Sequence, residues 1–261
     1  MTNPPDAAAC RSVRRAAERG HVTAQLLLGQ MLLDGAEGMP DPEQALRWFA
    51  IAAQAGHEQA INMLGRCHEK GWGVPVDLAA AAACYRRAAD GGDDWGRYNL
   101  ANMLLRGRGV SRDREAAWLL FLAAALNGHA KSMNLVARFL EEGWDRPRDL
   151  AQAELWYRRS ADAGDYRGRH NLATLRAERG SLNEALELWG QVLPEATQDI
   201  LLAMESVLQL VGHPDVPELL QRVRARLDPA RPEPRRAARR WRRLVPVRRV
   251  TRWCLQAGGR A

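Results

Sequence analysis

The sequence predicts an all-α chain, a right-handed α/α superhelix of stacked helix–turn–helix units, and three observations carry that prediction. A glycine recurs at a step of 36 residues, at Gly20, Gly56, Gly92, Gly128 and Gly164. Other columns keep the same step in phase: Gly35, Gly71, Gly107 and Gly143; Asp41, Asp77, Asp113 and Asp149; Ala45, Ala81, Ala117 and Ala153; Phe49, Tyr85, Phe121 and Tyr157. The apolar content, 46% with only 6% aromatic, is drawn mostly from alanine and leucine. A fixed period of this length marks repeated supersecondary units, and such a composition suits close-packed helices better than a sheet.

Each column has a physical reason. The aspartate opens an alanine-rich apolar segment, where its carboxylate can accept backbone N–H groups as an N-cap. The glycine six residues earlier ends the preceding helix, where a left-handed residue is cheap only for glycine. The small residues Gly29, Gly65, Ala101 and Ala137 let the first helix of a unit approach the second. The pairs Trp48-Phe49, Cys84-Tyr85, Leu120-Phe121 and Trp156-Tyr157 are expected to fill the space between units. In the first full unit the helices are expected over 22–34 and 41–55.

In chain order, 1–20 reads as a lone second helix capping the array. Four full units follow at 21–56, 57–92, 93–128 and 129–164. The segment 165–197 is a degenerate unit whose second helix starts at Ser181 without the glycine-rich insertion. Two capping helices, 198–211 and 215–227, are broken at Gly212-His213-Pro214 and fill 198–228. The residues 229–261 are a basic Arg/Pro-rich tail. Between 228 and 261 stand 11 Arg against Asp228 and Glu233, a balance of +9, so the rest of the +7 chain carries −2.

The residues Ala24, Leu28-Gly29, Trp48-Phe49, Ala52-Ala53 and Gly56, then Ala60, Leu64-Gly65, Gly71-Trp72-Gly73-Val74, Asp77 and Ala88-Ala89, resemble the Sel1-like repeat (SLR) family, a relative of the tetratricopeptide repeats. Departures are His68 in the usual tyrosine place and turns reading Gly35-Ala36-Glu37-Gly38 and Gly143-Trp144-Asp145-Arg146. The resemblance implies a non-catalytic adaptor that holds partners in signalling, quality control or envelope assembly. Some cysteine-rich members are described as β-lactamase-like; their regular cysteine pair is missing here, and that activity is not carried over.

The residues themselves give catalysis little support. His21, His57 and His129 share a column with Asp93 and Asp165, which reads as a cap position. His68, His170 and His213 stand alone, without zinc spacing, and the Gly-x-Gly turns follow helices rather than strands, unlike phosphate loops. No metal, cofactor or small-molecule substrate is expected. Cys67 and Cys84 fall in columns read as core, where free cysteine acts as a small hydrophobe. The first residues lack a signal-peptide pattern. The longest apolar run, 116–126, is far below the ~20 residues of a membrane helix, so the expectation is a cytoplasmic protein.

Two binding surfaces are expected. The first is a concave groove for a partner protein or peptide along the first helices of the second to fifth units. The residue before the conserved-register leucine and the one after the small residue point into it, giving Asn99 and Asn171 and Arg66, Asn102 and Arg138. Asn62, Trp95, Tyr98, Lys131 and Asn134 should lie nearby. Asn99 and Asn171 match the asparagine that in tetratricopeptide units bonds a bound peptide backbone. The second surface is the tail, where Arg239, Arg240, Trp241, Arg242, Arg243, Arg248, Arg249 and Trp253 could hold anionic lipid or nucleic acid, with peripheral attachment at the inner membrane as its consequence.

Overall fold

Aspartates and glycines set the helix ends. In the computed structural model, residues 7–36 and 38–227 are described, and among them stand thirteen helices and no strand. They are α1 Ala7–Glu18, α2 Val22–Asp34, α3 Pro42–Gln54, α4 Glu58–Lys70, α5 Leu78–Asp90, α6 Asp94–Arg106, α7 Arg114–Leu126, α8 Ala130–Glu142, α9 Leu150–Asp162, α10 Tyr166–Glu178, α11 Leu182–Val192, α12 Gln198–Leu208 and α13 Val216–Arg226. The chain falls into two compact units that divide between Arg148 and Asp149.

In the first unit, Asp41 accepts from Gln44 N at 2.8 Å, and Asp77 and Asp113 accept from Ala80 N and Ala116 N at 2.9 Å. Gly35, Gly71, Gly107 and Gly143 each adopt the left-handed conformation after α2, α4, α6 and α8. The first three turns are then tied back to their first helix: the N–H groups of Asp41, Asp77 and Asp113 donate to the carbonyls of Leu32, His68 and Leu104 at 2.9–3.0 Å. Helices meet chiefly their neighbours in the chain, and α4 also touches α6 across one repeat.

The core of the repeats forms where a small residue faces a ring. Phe49, Tyr85 and Phe121 are wholly buried. A Cβ at Gly29 or Gly65 would stand 2.5 Å from Phe49 or 2.7 Å from Tyr85. Three leading members of the bulky pairs depart from the expectation, while Trp156 is buried. Trp48, Cys84 and Leu120 are only partly buried, because the ring one residue later takes the space between the helices.

The second unit opens on α9, capped by Asp149, which accepts from Ala151 N and Gln152 N. Its core runs from Ala173 through Trp189 and Met204 to Leu227. Asp149 and Asp165 hold helix starts by side-chain bonds, whereas Ser181, Thr197 and Asp215 do not. Among the described residues no helix is long and apolar enough to cross a membrane.

Candidate functional site

A helix face repeats at i, i+3, i+4 and i+7, and the 36-residue step superposes these faces from one repeat to the next. In the first compact unit this produces an open groove of about 820 Å³ along α2, α4 and α6 and the first turn of α8. Its walls are five columns: Thr23, Gln59, Trp95 and Lys131; Leu26, Asn62 and Tyr98; Leu27, Met63 and Asn99; Gln30, Arg66 and Asn102; Lys70 and Arg106. Glu69, Asp93, Met103 and Arg108 complete it.

Amides run across the floor. Asn99 Nδ2 donates to Asn62 Oδ1 at 2.9 Å, joining α6 to α4, and Asn102 Nδ2 donates to the Tyr98 carbonyl at 2.8 Å. At one end stands an aromatic cluster. Trp95 is 44% exposed and meets the His129 ring edge-on at 4.6 Å, with Tyr98 beside both. Lys131 Nζ lies 4.6 Å from the Trp95 ring centroid, and His129 Nδ1 is 2.8 Å from Ser132 Oγ. Leu27, 48% exposed, adds an aliphatic surface on α2.

At the other end Glu69 is a hub. It accepts from Tyr85 Oη at 2.8 Å and from Lys70 and Arg108 at 3.4 Å. Burial, reinforced by the Glu69 charge, raises the Tyr85 hydroxyl pKa, so Tyr85 stays a donor. Arg66 lies over Trp72 at 5.0 Å. Asp93 is occupied as a cap, accepting from Gly96 N at 2.7 Å, and burial raises its pKa. Five cationic side chains thus line the groove against the carboxylates of Glu69 and Asp93.

Of the expected groove residues, Asn62, Arg66, Trp95, Tyr98, Asn99, Asn102 and Lys131 line this groove. Asn62 is buried rather than open, because Asn99 covers its carbonyl oxygen. Asn134 is buried in α8. Arg138 lies outside the lining and stacks at 5.5 Å over Trp144. Asn171 belongs to α10 of the second compact unit, where it is half-buried. The groove therefore begins one repeat earlier than expected. Lys70, Arg106 and Arg108 escaped the sequence reading, although positions four beyond Arg66 and Asn102 share their helix face. The tail residues Arg239 to Trp253 lie outside the described residues.

The histidine column is structural at its base. His21, His57 and His129 occupy N-cap positions without a side-chain cap bond, and Asp93 and Asp165 occupy the same positions with one. Four consecutive segments, 22–57, 58–93, 96–129 and 130–165, match the family model of the Sel1 repeat. Together they make up more than half of the chain. The chain belongs to the Sel1 repeat family. Sel1 repeat proteins generally mediate protein–protein interaction and are generally non-catalytic.

Solved structures carry the same fold. A Sel1 repeat protein from Oxalobacter formigenes matches at 19% identity and TM-score 0.72, over 85% of this chain and 98% of its own. The protein c5321 of uropathogenic Escherichia coli, described as a protective antigen displaying an SLR fold, matches at 25% identity and TM-score 0.67. That match covers 84% of this chain but 49% of the antigen, so this chain spans about half its length. A putative Sel1 repeat protein from Klebsiella pneumoniae matches at 17% identity and TM-score 0.52, over 82% and 99%. A search among curated proteins found no match.

Proposed function

We propose that this Sel1 repeat chain is a non-catalytic adaptor that binds a partner protein by taking an extended segment of it into the groove of α2, α4 and α6. The observation that carries the reading is the combination in one open groove of the side-chain amides of Asn99 and Asn102, the first braced by buried Asn62, with exposed apolar anchors (Leu27, Trp95). Amides offer both donors and acceptors to an extended backbone. A large, rigid aromatic at the rim is a common centre of binding energy. Three successive repeats supply these groups from their first helices, α2, α4 and α6, held at fixed spacing, so the surface is formed before the partner arrives.

The test compares wild type with Trp95→Ala/Asn99→Ala in pull-downs read by mass spectrometry, followed by affinity measurement on the purified partner. The double variant should lose the partner by tenfold or more while its melting temperature falls by only a few degrees. Undiminished affinity would refute the groove. The tail supports a second reading, docking to anionic membrane or nucleic acid through 229–261, because its +9 charge stands apart from a nearly neutral body. Deletion of 229–261 in the same experiment separates the two: the adaptor reading predicts that the partner is retained, the docking reading that binding to anionic vesicles or nucleic acid is lost.

A further inference from the structure

Cations gather at one end of the groove and are not matched there. Arg66 and Lys70 come from the last turns of α4, Arg106 from the end of α6 and Arg108 from the turn that follows. Only Glu69 faces them from within the lining, and its carboxylate is already shared by Tyr85, Lys70 and Arg108. Among the described residues no carboxylate pairs with Arg66 or Arg106. Basic residues at helix C-termini are ordinarily explained by the helix dipole. Here the column that holds Lys70 and Arg106 reads Asp34 in α2 and Glu142 in α8. The helix ends do not require a cation at that position; it appears on the two helices in the middle of the groove.

We infer that the segment the groove accepts is acidic: an extended peptide whose carboxylates meet Arg66, Lys70, Arg106 and Arg108 and whose apolar or aromatic side chain meets Trp95 and Leu27. This rests on the adaptor reading above and specifies its partner. Guanidinium groups take carboxylates in two-point fashion, and charge complementarity of this kind selects partners and speeds encounter. The chain's own tail is excluded as occupant by the sign of its charge, since 228–261 carries 11 Arg. A peptide fits better than a nucleic acid because the amides of Asn99 and Asn102 separate the cations from Trp95 along α6 and Leu27 adds exposed apolar surface on α2, with no run of basic residues to follow a phosphate backbone.

The test uses three fluorescein-labelled peptides of one frame, roughly eight residues and so about 27 Å when extended. Each carries a single Phe, with its ionisable positions filled by Glu, Gln or Lys. Fluorescence anisotropy with the full chain should show the Glu peptide bound at least tenfold more tightly than the Gln peptide, with the Lys peptide weaker still. Raising salt from about 50 to about 300 mM should weaken the Glu peptide severalfold. Lys70→Gln/Arg106→Gln, at exposed side chains that leave the melting temperature unchanged, should weaken the Glu peptide about tenfold. Lys70→Glu/Arg106→Glu should abolish it.

Equal affinity for all three peptides, or no binding by any, overturns the inference. So does displacement of the Glu peptide by a single-stranded oligonucleotide of the same charge at the same concentration, which would make the groove a general polyanion site. The adaptor reading is judged separately, by the effect of Trp95→Ala/Asn99→Ala on the natural partner. A partner that is lost in that variant and carries a basic binding segment would leave the groove standing and remove its acidic selectivity.

Discussion

Replacing Gly29 with alanine sets two opposed effects against each other. In an open helix interior the change stabilises by about 1 kcal/mol, because glycine gives up more backbone freedom on folding. At Gly29 the added Cβ would lie 2.5, 2.8 and 2.9 Å from Cε1, Cδ1 and Cζ of Phe49. Carbon atoms pack best at about 3.5–4.0 Å, and Phe49 is wholly buried, so the ring cannot swing into solvent. Either α2 and α3 part or the ring leaves its rotamer, at a cost of about 1–3 kcal/mol. The steric term wins, and the variant should lose about 1 kcal/mol net, which lowers the melting temperature by about 2–4 °C for a chain of this size. Gly190→Ala is the matched control. It lies in α11 with no atom within 4 Å of an added Cβ, so the same substitution should stabilise by about 0.5–1 kcal/mol. Urea and thermal unfolding followed by circular dichroism measure both. A Gly29→Ala chain as stable as wild type or more so would refute the packing argument, and would show that the third and fourth repeats, with Ala101 and Ala137 at this position, set the rule.

Two further outcomes follow from buried titratable groups. Burial lowers the pKa of His170 from 6.5 to about 4, so its imidazole stays neutral in the fold while the unfolded chain protonates. Stability should be fully present above about pH 6.5, fall by on the order of 3 kcal/mol as the pH drops to about 4, and level off below; His170→Leu should flatten that limb in a urea series, and superimposable acid limbs would contradict it. Burial also pushes the Cys67 thiol up to about 12, and the side chain is inaccessible. Iodoacetamide at pH 8 should therefore modify Cys67 only when the chain unfolds, as read by peptide mass mapping, whereas rapid labelling of the native chain would overturn the core placement.

The repeat, its helices and their caps were legible because each depends on groups close in sequence. A cap needs an aspartate and an N–H three residues on, and a left-handed helix end needs a glycine at one position. The small-residue column that lets two helices close was legible for the same reason, whereas the rings, expected between units, pack against that column within a unit, since their place depends on the angle at which two helices meet. The groove was legible by face and not by place. Register put Asn99, Arg66 and Asn102 on the right face, but it also put Arg138 there, and Arg138 is drawn to Trp144 of the atypical fourth turn. The bond from Asn99 to Asn62 joins two different columns, 37 residues apart, and so has no signature in the period. That fourth turn shows how a departure is absorbed. Asp145 stands where Gly73 and Gly109 stand in earlier repeats and keeps their positive φ, at 54°, while its carboxylate meets Arg114 at 3.4 Å. Aspartate is among the few side-chain-bearing residues that adopt this left-handed region readily.

The predominance of contacts between helices adjacent in the chain has a consequence for synthesis. The cluster that holds Leu28 and Phe49 also takes Ala17 from α1 and Met63 and Cys67 from α4, so the first repeat can consolidate only once α4, which ends at Lys70, has been made. Later helices add to a surface already formed, with short loop closures and correspondingly fast steps. The groove follows a different schedule. It draws on α2, α4, α6 and finally Lys131 at the start of α8, so a nascent chain completes its first core cluster before the groove has all its walls.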